Sequence, residues 1–283
     1  MFSSRFAPSP TGLLHLGHAY SALLTEKLVL ENHGVFELRI EDIDQTRCTQ
    51  VFEEQIYNDL NWLEIKWNKV PVKQSSRLDL YSKYIKKLDN MGLLYSCECT
   101  RSDIKNALSA PNALPRNLQS EVYPGLCKKK NLSPNGRNIR LDVLKSKEYL
   151  GDKKLKFIEK GVGANGENGV QFFSIDWLYY NYGDFIIARK DIKTSYHLSV
   201  TIDDAIQNIT HISRGNDLFY ITTLHVLLQR LLNLKTPTYV HHGLILDKKG
   251  HKLSKSKGAE SILNLRKSGK TINDIKSTLG LAK

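Results

Sequence analysis

Two histidines three residues apart, His15 and His18, close the run RFAPSPTGLLHLGH at residues 5–18. The spacing puts both imidazoles on one face of a helix, and it suits three readings: a metal pair, a phosphate site, or an ordinary helix start. A metal pair on one helix usually needs i, i+4 spacing and a third ligand, and no HExxH occurs in the sequence. At a helix N-terminus the exposed N–H groups and positive dipole end favour an anion, to which imidazoles add donors, and Gly17 leaves room for a phosphate or a flat ring. A second basic constellation lies far along the sequence: KLSKS, Lys252 to Ser256, in a loop flanked by Gly250 and Gly258. Two lysines there could close over a triphosphate and neutralise charge that develops in a transition state; alone, the segment would read as a solvated basic loop. A third group is sulfur. Cys97, Cys99 and Cys127 crowd one region while Cys48 stands apart, and in a reducing compartment such a cluster points to metal or chance, not to a disulfide framework.

The elements that must position these groups follow from the pattern. FSSRFAPSP begins apolar and extended and breaks at its prolines. HLGHAYSALLTEKLVLENHG carries apolar residues at helical spacing with Gly34 as the expected C-cap, and VFELRIEDID alternates as a strand before turning acidic. Strand, loop, helix and strand make a βαβ unit, hence a parallel sheet with its ligand site at the strands' carboxyl ends, the edge on which His15 and His18 fall. Residues 76–92 predict a further amphipathic helix. From about residue 105 to 168 the sequence is rich in Asn, Lys, Pro and Gly, with NIRLDV its one strand-like stretch, and reads as an insert. Strand patterning returns at GDFIIARK and ITHISRG, where the sheet is expected to resume; YITTLHVLLQRLLNL predicts an apolar helix, and TYVHHGLIL leads into the KLSKS loop. The expected fold is α/β with a Rossmann-type parallel sheet. Residues 1–96 form the first half of the core, 97–183 the inserted subdomain, 184–245 the second half, and 246–283 the KLSKS loop with a short helical tail.

With 283 residues, 41% hydrophobic and 25% charged, the protein can bury a core without staples. No apolar run approaches the ~20 residues of a membrane span. Arg5 and two prolines interrupt what would be the apolar region of a signal peptide, so a cytoplasmic address with no membrane partner is expected. Net charge is +12, and ten Lys/Arg against two acids fall between Lys248 and Lys283. That excess fits a polyanionic partner and a merely lysine-rich surface about equally.

HLGH and KLSKS resemble the HIGH and KMSKS signatures of the class I aminoacyl-tRNA synthetases, in the right order and at the right ends of a Rossmann core. RFAPSPTG, RIEDID, TSYHLSVTIDDA and ITHISRGNDL are similar to the glutamyl-tRNA synthetase branch of that family, and the resemblance covers most of the sequence. It implies activation of L-glutamate by ATP with Mg2+: the carboxylate attacks the α-phosphate, so two anions must be positioned and a pentavalent centre stabilised. His15, Gly17, His18, Lys252 and Lys255 would bind ATP, with His15, His18 and Lys255 as the catalytic set; Lys255 would neutralise departing pyrophosphate, Lys252 being the lesser candidate. Glutamate would lie on the segment Arg5, Phe6, Ala7, Pro8 and Ser9, with Arg5 and Arg214 for carboxylates, Glu41 for the ammonium and Tyr196 for the side-chain carboxylate. Val200 and Leu218 stand where discriminating glutamyl-tRNA synthetases often carry Asn and Trp, which implies weaker glutamate binding. SCECTR and YPGLC resemble the zinc-binding insertion of the truncated glutamyl-Q branch. That makes Cys97, Cys99, Tyr123 and Cys127 the implied ligands of a structural Zn2+, a phenolate being an uncommon fourth ligand. Cys48 has no part in that set, and Lys128 to Lys130 beside it are expected to face solvent or nucleic acid.

The sequence stops 27 residues after Ser256, enough for one or two short helices, so no anticodon-binding domain is expected. The glutamyl-Q branch esterifies glutamate to the queuosine base in the anticodon loop of tRNA(Asp), which makes that loop the expected partner of a protein acting as a monomer. The alternatives are a truncated glutamyl-tRNA synthetase charging the 3′ end of tRNA(Glu), and a non-catalytic tRNA-binding paralogue.

Overall fold

A computed structural model of the protein describes residues 1–108, 122–151, 154–246 and 260–281. The fold opens with β1 (Ser3–Phe6), α1 (Leu16–Glu31) and β2 (Val35–Ile40), and the crossover through α1 leaves β1 paired parallel with β2, both strands almost continuously buried. α2 (Gln50–Trp62), begun by the Thr49 cap, crosses back to β3 (Val72–Lys73), again parallel to β2. α3 (Leu78–Asn90) is the amphipathic helix expected over 76–92. Then come β4 (Leu94–Cys97), α4 (Arg101–Leu108), β5 (Asn138–Leu141), α5 (Val143–Leu150), β6 (Leu155–Glu159), β7 (Gly169–Phe173), α6 (Ile175–Tyr182) and β8 (Ile186–Ala188). The second half carries α7 (Tyr196–Ile206), β9 (His211–Gly215), α8 (Thr222–Leu231) and β10 (Thr238–His242), and α9 (Ile262–Lys267) and α10 (Ile272–Thr278) close the fold.

β9, α8 and β10 form a second βαβ unit, β10 running parallel to both β9 and β6. This sheet, to which β7 adds an antiparallel edge, meets the parallel sheet of β1, β2 and β3 where β1 lies against β9: Thr210 N–H donates to the Ser3 carbonyl at 3.0 Å, and Ser3 N–H donates to Thr210 Oγ1 at 2.9 Å. Two apolar cores result. One wraps β1, α1, β2 and α2 and takes in Ile262, Leu265 and Ile275 from the closing helices; the other centres on α3, α7, α8 and Tyr239. No helix among the described residues is long and apolar enough to cross a membrane.

Three local expectations differ. GDFIIARK does not resume the parallel sheet, because β8 pairs antiparallel with β5, and β5 with β4, in a separate three-stranded sheet. β6 and β7, inside the span read as an insert, join the main sheet instead. Leu155, Phe157 and Glu159 alternate with exposed residues, a period-two pattern hidden by the surrounding polar composition. Gly34 is not the left-handed residue after α1. His33 takes φ 48°, and Gly34 is needed for close approach, since a Cβ there would stand 2.7 Å from the Phe2 carbonyl and ring.

Candidate active site

His15 is the N-cap of α1. Its Nδ1 accepts from Gly17 N–H at 3.1 Å, and His18 Nδ1 accepts in return from His15 N–H at 3.1 Å, a reciprocal capping box built from two imidazoles. With both Nδ1 atoms acting as acceptors, each neutral ring carries its proton on Nε2 and presents a donor there. Gly17 matters for the same reason: a Cβ would come within 3.0 Å of the His15 ring, so glycine lets the ring fold back over the helix start. The segment that follows the KLSKS loop returns to this point, with a β-bridge between Ser261 and His15 and Ile262 N–H donating to the Leu14 carbonyl at 2.8 Å. Lys252, Lys255 and the rest of KLSKS lie outside the described residues.

Arg5 and Phe6 end β1, and Ala7, Pro8 and Ser9 form the loop beyond it. Glu41 follows β2, its N–H donating to the Pro8 carbonyl at 3.0 Å. Arg5 is buried and bidentate on Asp204 (2.8 and 3.4 Å). Asp204 also accepts from Arg39 at 2.8 Å, and Arg39 reaches Glu41 at 3.2 Å. Its neighbour Asp203 accepts from Arg77, Tyr81 and Gln74 at 2.8, 2.8 and 2.9 Å. Burial works against the charge of Arg39, yet Asp204, Glu41 and Asp203 together raise its pKa. Burial likewise opposes Asp204, but Arg5 and Arg39 hold it below the ordinary carboxylate value. Glu41 is raised, because burial outweighs the attraction of Arg39 and Arg5; an arriving ammonium would favour its charged form.

Arg214, near the carboxyl end of β9, has different company. Its Nε–H donates to His241 Nε2 at 3.1 Å, one terminal nitrogen faces His225 Nδ1 at 3.3 Å, and the other donates to Thr222 Oγ1 at 2.7 Å and the Leu218 carbonyl at 3.4 Å. Every one of these acceptors is neutral, and among the described residues no carboxylate pairs with this guanidinium. Burial, reinforced by Arg214, pushes His197 down to about 4 and His225 well below its ordinary value. Tyr196, first residue of α7 behind its Ser195 cap, sets its ring edge-on to His225 at 5.8 Å. Arg5 reaches toward the Ser213 carbonyl at 3.5 Å, so the residues expected on glutamate gather at the seam between β1 and β9. Val200 is buried in α7, and the Leu218 carbonyl accepts from Arg214.

The sulfur cluster forms as well. The sulfurs of Cys97, Cys99 and Cys127 lie within 4.8 Å of one another, none in a disulfide, with Cys99 3.3 Å from Cys127. The Tyr123 hydroxyl stands 3.4 Å from Cys97 and 3.6 Å from Cys99 and accepts from Cys127 N–H at 2.8 Å, while the Arg140 guanidinium stacks 3.6 Å over the Tyr123 ring. A tetrahedral zinc with bonds of ~2.0–2.3 Å would space its ligand atoms roughly 3.5–3.8 Å apart, so the four groups fit such an ion. Burial pushes Cys99 up to about 12 against the opposing hydrogen bond with Tyr123, and burial with the neighbouring thiols raises Tyr123; a divalent cation among them would supply the charge that lets them ionise. Cys48 lies elsewhere, beside the Glu41 carbonyl. Lys129 and Lys130 are exposed, as expected of this run, with Lys130 3.2 Å from Glu98 at the surface, while Lys128 is half-buried and paired with Asp142 at 2.6 Å.

Sequence reasoning passed over Arg39, Asp203, Asp204, Glu159, His225 and His241. The tandem acids of VTIDDAI were the strongest available signal, since carboxylates inside an apolar helix require cations. Comparison with known proteins accords with this geometry. Residues 1–273 match the model of tRNA synthetases class I (E and Q), catalytic domain. The protein is 42% identical over 279 residues to a glutamyl-Q tRNA(Asp) synthetase of Rhodobacter capsulatus, covering 98% of this sequence and 99% of that one. It is 36% identical to a glutamate–tRNA ligase of Carboxydothermus hydrogenoformans, covering 95% of this sequence but 55% of the ligase. Among solved structures, the glutamate-tRNA synthetase of Elizabethkingia anophelis superposes with a TM-score of 0.68 at 26% identity, over 91% of this protein and 53% of that one.

Proposed function

The protein belongs to the class I tRNA synthetases (E and Q), a family of aminoacyl-tRNA ligases, and from that premise we propose that it activates L-glutamate with ATP and Mg2+ and transfers it to queuosine in the anticodon loop of tRNA(Asp). The observation that carries the glutamate assignment is Arg214, a buried guanidinium oriented by four neutral acceptors and so left with its charge for an incoming carboxylate. Glu41 receives the α-ammonium, Tyr196 hydrogen-bonds the side-chain carboxylate, and Arg5 to Ser9 form the floor. The Nε2 donors of His15 and His18, with the start of α1 at Gly17, hold the ATP phosphates. A glutamate carboxylate oxygen attacks the α-phosphorus, the bond to the β-phosphate oxygen breaks, and pyrophosphate leaves against Lys255 and Lys252. A hydroxyl of the queuosine cyclopentene ring then attacks the glutamyl carbonyl and AMP departs. Single-stranded loops are where a base can splay into such a pocket.

Zinc held by Cys97, Cys99, Tyr123 and Cys127 would have no open position, so its part is structural, joining β4 to the segment around Tyr123. Full-length similarity to a protein named for queuosine transfer supports the acceptor assignment; similarity to part of a glutamate–tRNA ligase supports the alternative, charging of the 3′ end of tRNA(Glu). Labelled glutamate, offered with ATP to tRNA from cells that make queuosine and from cells that cannot, separates the two. Incorporation should require queuosine. Equal incorporation into both pools, or label on a 3′-terminal fragment, would establish the alternative.

A further inference from the structure

Behind Arg214, on the far side of His241, stands a buried carboxylate. Glu159, the last residue of β6, is 1% exposed. Its Oε1 accepts two backbone N–H groups, from Gly161 at 2.7 Å and His241 at 2.9 Å, while Oε2 faces His241 Nδ1 at 2.5 Å. The turn that holds it is tightly fitted: a Cβ on Gly161 would stand 2.0 Å from the His241 carbonyl oxygen, and Val162 N–H donates to that same oxygen at 2.8 Å. A carboxylate has no proton to give, so the proton between Oε2 and the ring belongs to Nδ1. Nε2 then carries a lone pair, and it is this atom that Arg214 Nε–H meets at 3.1 Å.

On the other side of the guanidinium the logic repeats with the opposite tautomer. Arginine can only donate, so His225 Nδ1 must accept, leaving its proton on Nε2 to meet His197 Nδ1 at 3.3 Å. Arg5 and Arg39, by contrast, press directly on Asp204. A carboxylate in direct contact with Arg214 would compete with any anionic ligand. Placed one imidazole away, it can orient the arginine without occupying it.

We propose that Glu159 and His241 are positioning residues: the Glu159 carboxylate locks His241 in its Nδ1–H tautomer, and that ring holds Arg214 turned toward the substrate carboxylate with its terminal donors unneutralised. The proposal rests on the glutamate reading for its kinetic consequence but not for its tautomer. In the isosteric variant Glu159→Gln, Oε1 still serves the two backbone donors, so the amide NH2 faces Nδ1. The ring must shift its proton to Nε2, where it meets Arg214 Nε–H donor to donor.

In ATP–pyrophosphate exchange, Glu159→Gln is expected to raise KM for glutamate by about 10- to 100-fold, the range for a lost hydrogen bond to a charged group, with KM for ATP and the saturated rate little changed. Should that variant fold poorly, His241→Gln and His241→Phe carry the test. Gln can offer a carbonyl oxygen near the Nε2 position and should bind glutamate better than Phe. Nitrogen-15 spectra of histidine-labelled protein supply a readout independent of substrate: His241 should show Nδ1–H in the wild type and Nε2–H in Glu159→Gln. An Nε2–H ring in the wild type, an unchanged KM in Glu159→Gln, or equal KM values in the two His241 variants would overturn the proposal. Absence of glutamate-dependent exchange in the wild type would overturn the functional reading and leave the tautomer test standing.

Discussion

Replacing Arg214 by Lys keeps the positive charge and removes the planar fork. Four contacts of 2.7 to 3.4 Å fix the guanidinium between β10, α8 and the Leu218 carbonyl. An ammonium has three donors on one atom and cannot span the two histidines and Thr222 while also facing a carboxylate. Four of the five guanidinium N–H groups are engaged, so one charge-assisted bond to the substrate is then lost or misdirected, worth roughly 1.5–3 kcal/mol, and KM for glutamate should rise on the order of 10- to 150-fold, at about 1.4 kcal/mol per decade. The assay is ATP–pyrophosphate exchange over a glutamate titration at saturating ATP. Because the role proposed for Arg214 is toward glutamate and not ATP, KM for ATP should stay within about twofold, the test that separates a lost contact from a damaged fold. Arg5→Lys is the informative comparison, since Arg5 already spends its fork on Asp204; its main effect should fall on thermal stability. An unchanged KM for glutamate in Arg214→Lys, or an equal rise in Arg5→Lys with no loss of stability, would overturn this role for Arg214.

Asp204→Asn removes the anion shared by Arg5 and Arg39 and leaves two buried guanidiniums short of countercharge. Such a change costs about 3–5 kcal/mol, so the melting temperature should fall by roughly 10 °C; a loss of only a degree or two would mean that the cluster relaxes or hydrates. His197, His225 and His241 are all lowered, chiefly by burial. The unfolded state therefore takes up protons first, and stability should be lost as pH falls from about 6.5 toward 4. The His197 shift from 6.5 to about 4 contributes on the order of 3 kcal/mol of that loss. Denaturant midpoints at pH 7.5 and 5.5 check this, and His197→Asn, which keeps an acceptor for His225, should narrow the gap; an identical gap in that variant would assign the loss elsewhere. Protein purified without chelator should carry one zinc per molecule and Cys99→Ser less, by elemental analysis; metal-free protein with an unchanged melting temperature would remove zinc from the fold's support.

What the sequence disclosed and what it hid divide along sequence distance. The placement of His15 and His18 at a helix start was legible because it is local, and the nearness of Cys97 to Cys99 because a single residue separates them. The countercharges were not legible: Arg5 meets Asp204 across 199 positions and His241 meets Glu159 across 82, and no periodicity encodes such pairings. A partial signal did exist at Glu159, which continues the buried phase of Leu155 and Phe157, a carboxylate where the alternation calls for an apolar group. A polar residue in phase with a core face is a request for a partner, even though the partner's identity appears only in three dimensions. β8 misled for the converse reason. IIA is apolar enough for any sheet, and composition cannot say which edge it will join.

The placement of the arginines has a further consequence for the proposed amino-acid site. Arg5, Arg39 and Arg77 face Glu41, Asp203 and Asp204, three cations against three anions, tying β1, β2 and α3 to α7. Asp204 and Arg5 bridge the same seam that is stitched by Thr210 and Ser3. On the proposed reading the ammonium partner Glu41 follows β2 in the sheet of β1, the carboxylate partner Arg214 lies in the sheet of β9, and a bound glutamate would span the junction. Nothing in either half alone sets the distance between those two charges. It is set by how β1 lies on β9, so the buried ion cluster, though it touches no carboxylate of the substrate through Asp203 or Asp204, fixes the separation at which an α-ammonium and a carboxylate can both be met. Loosening it should weaken glutamate binding even where Arg214 and Glu41 are intact, because a misfit of about 1 Å is enough to lose much of the benefit of preorganised charge.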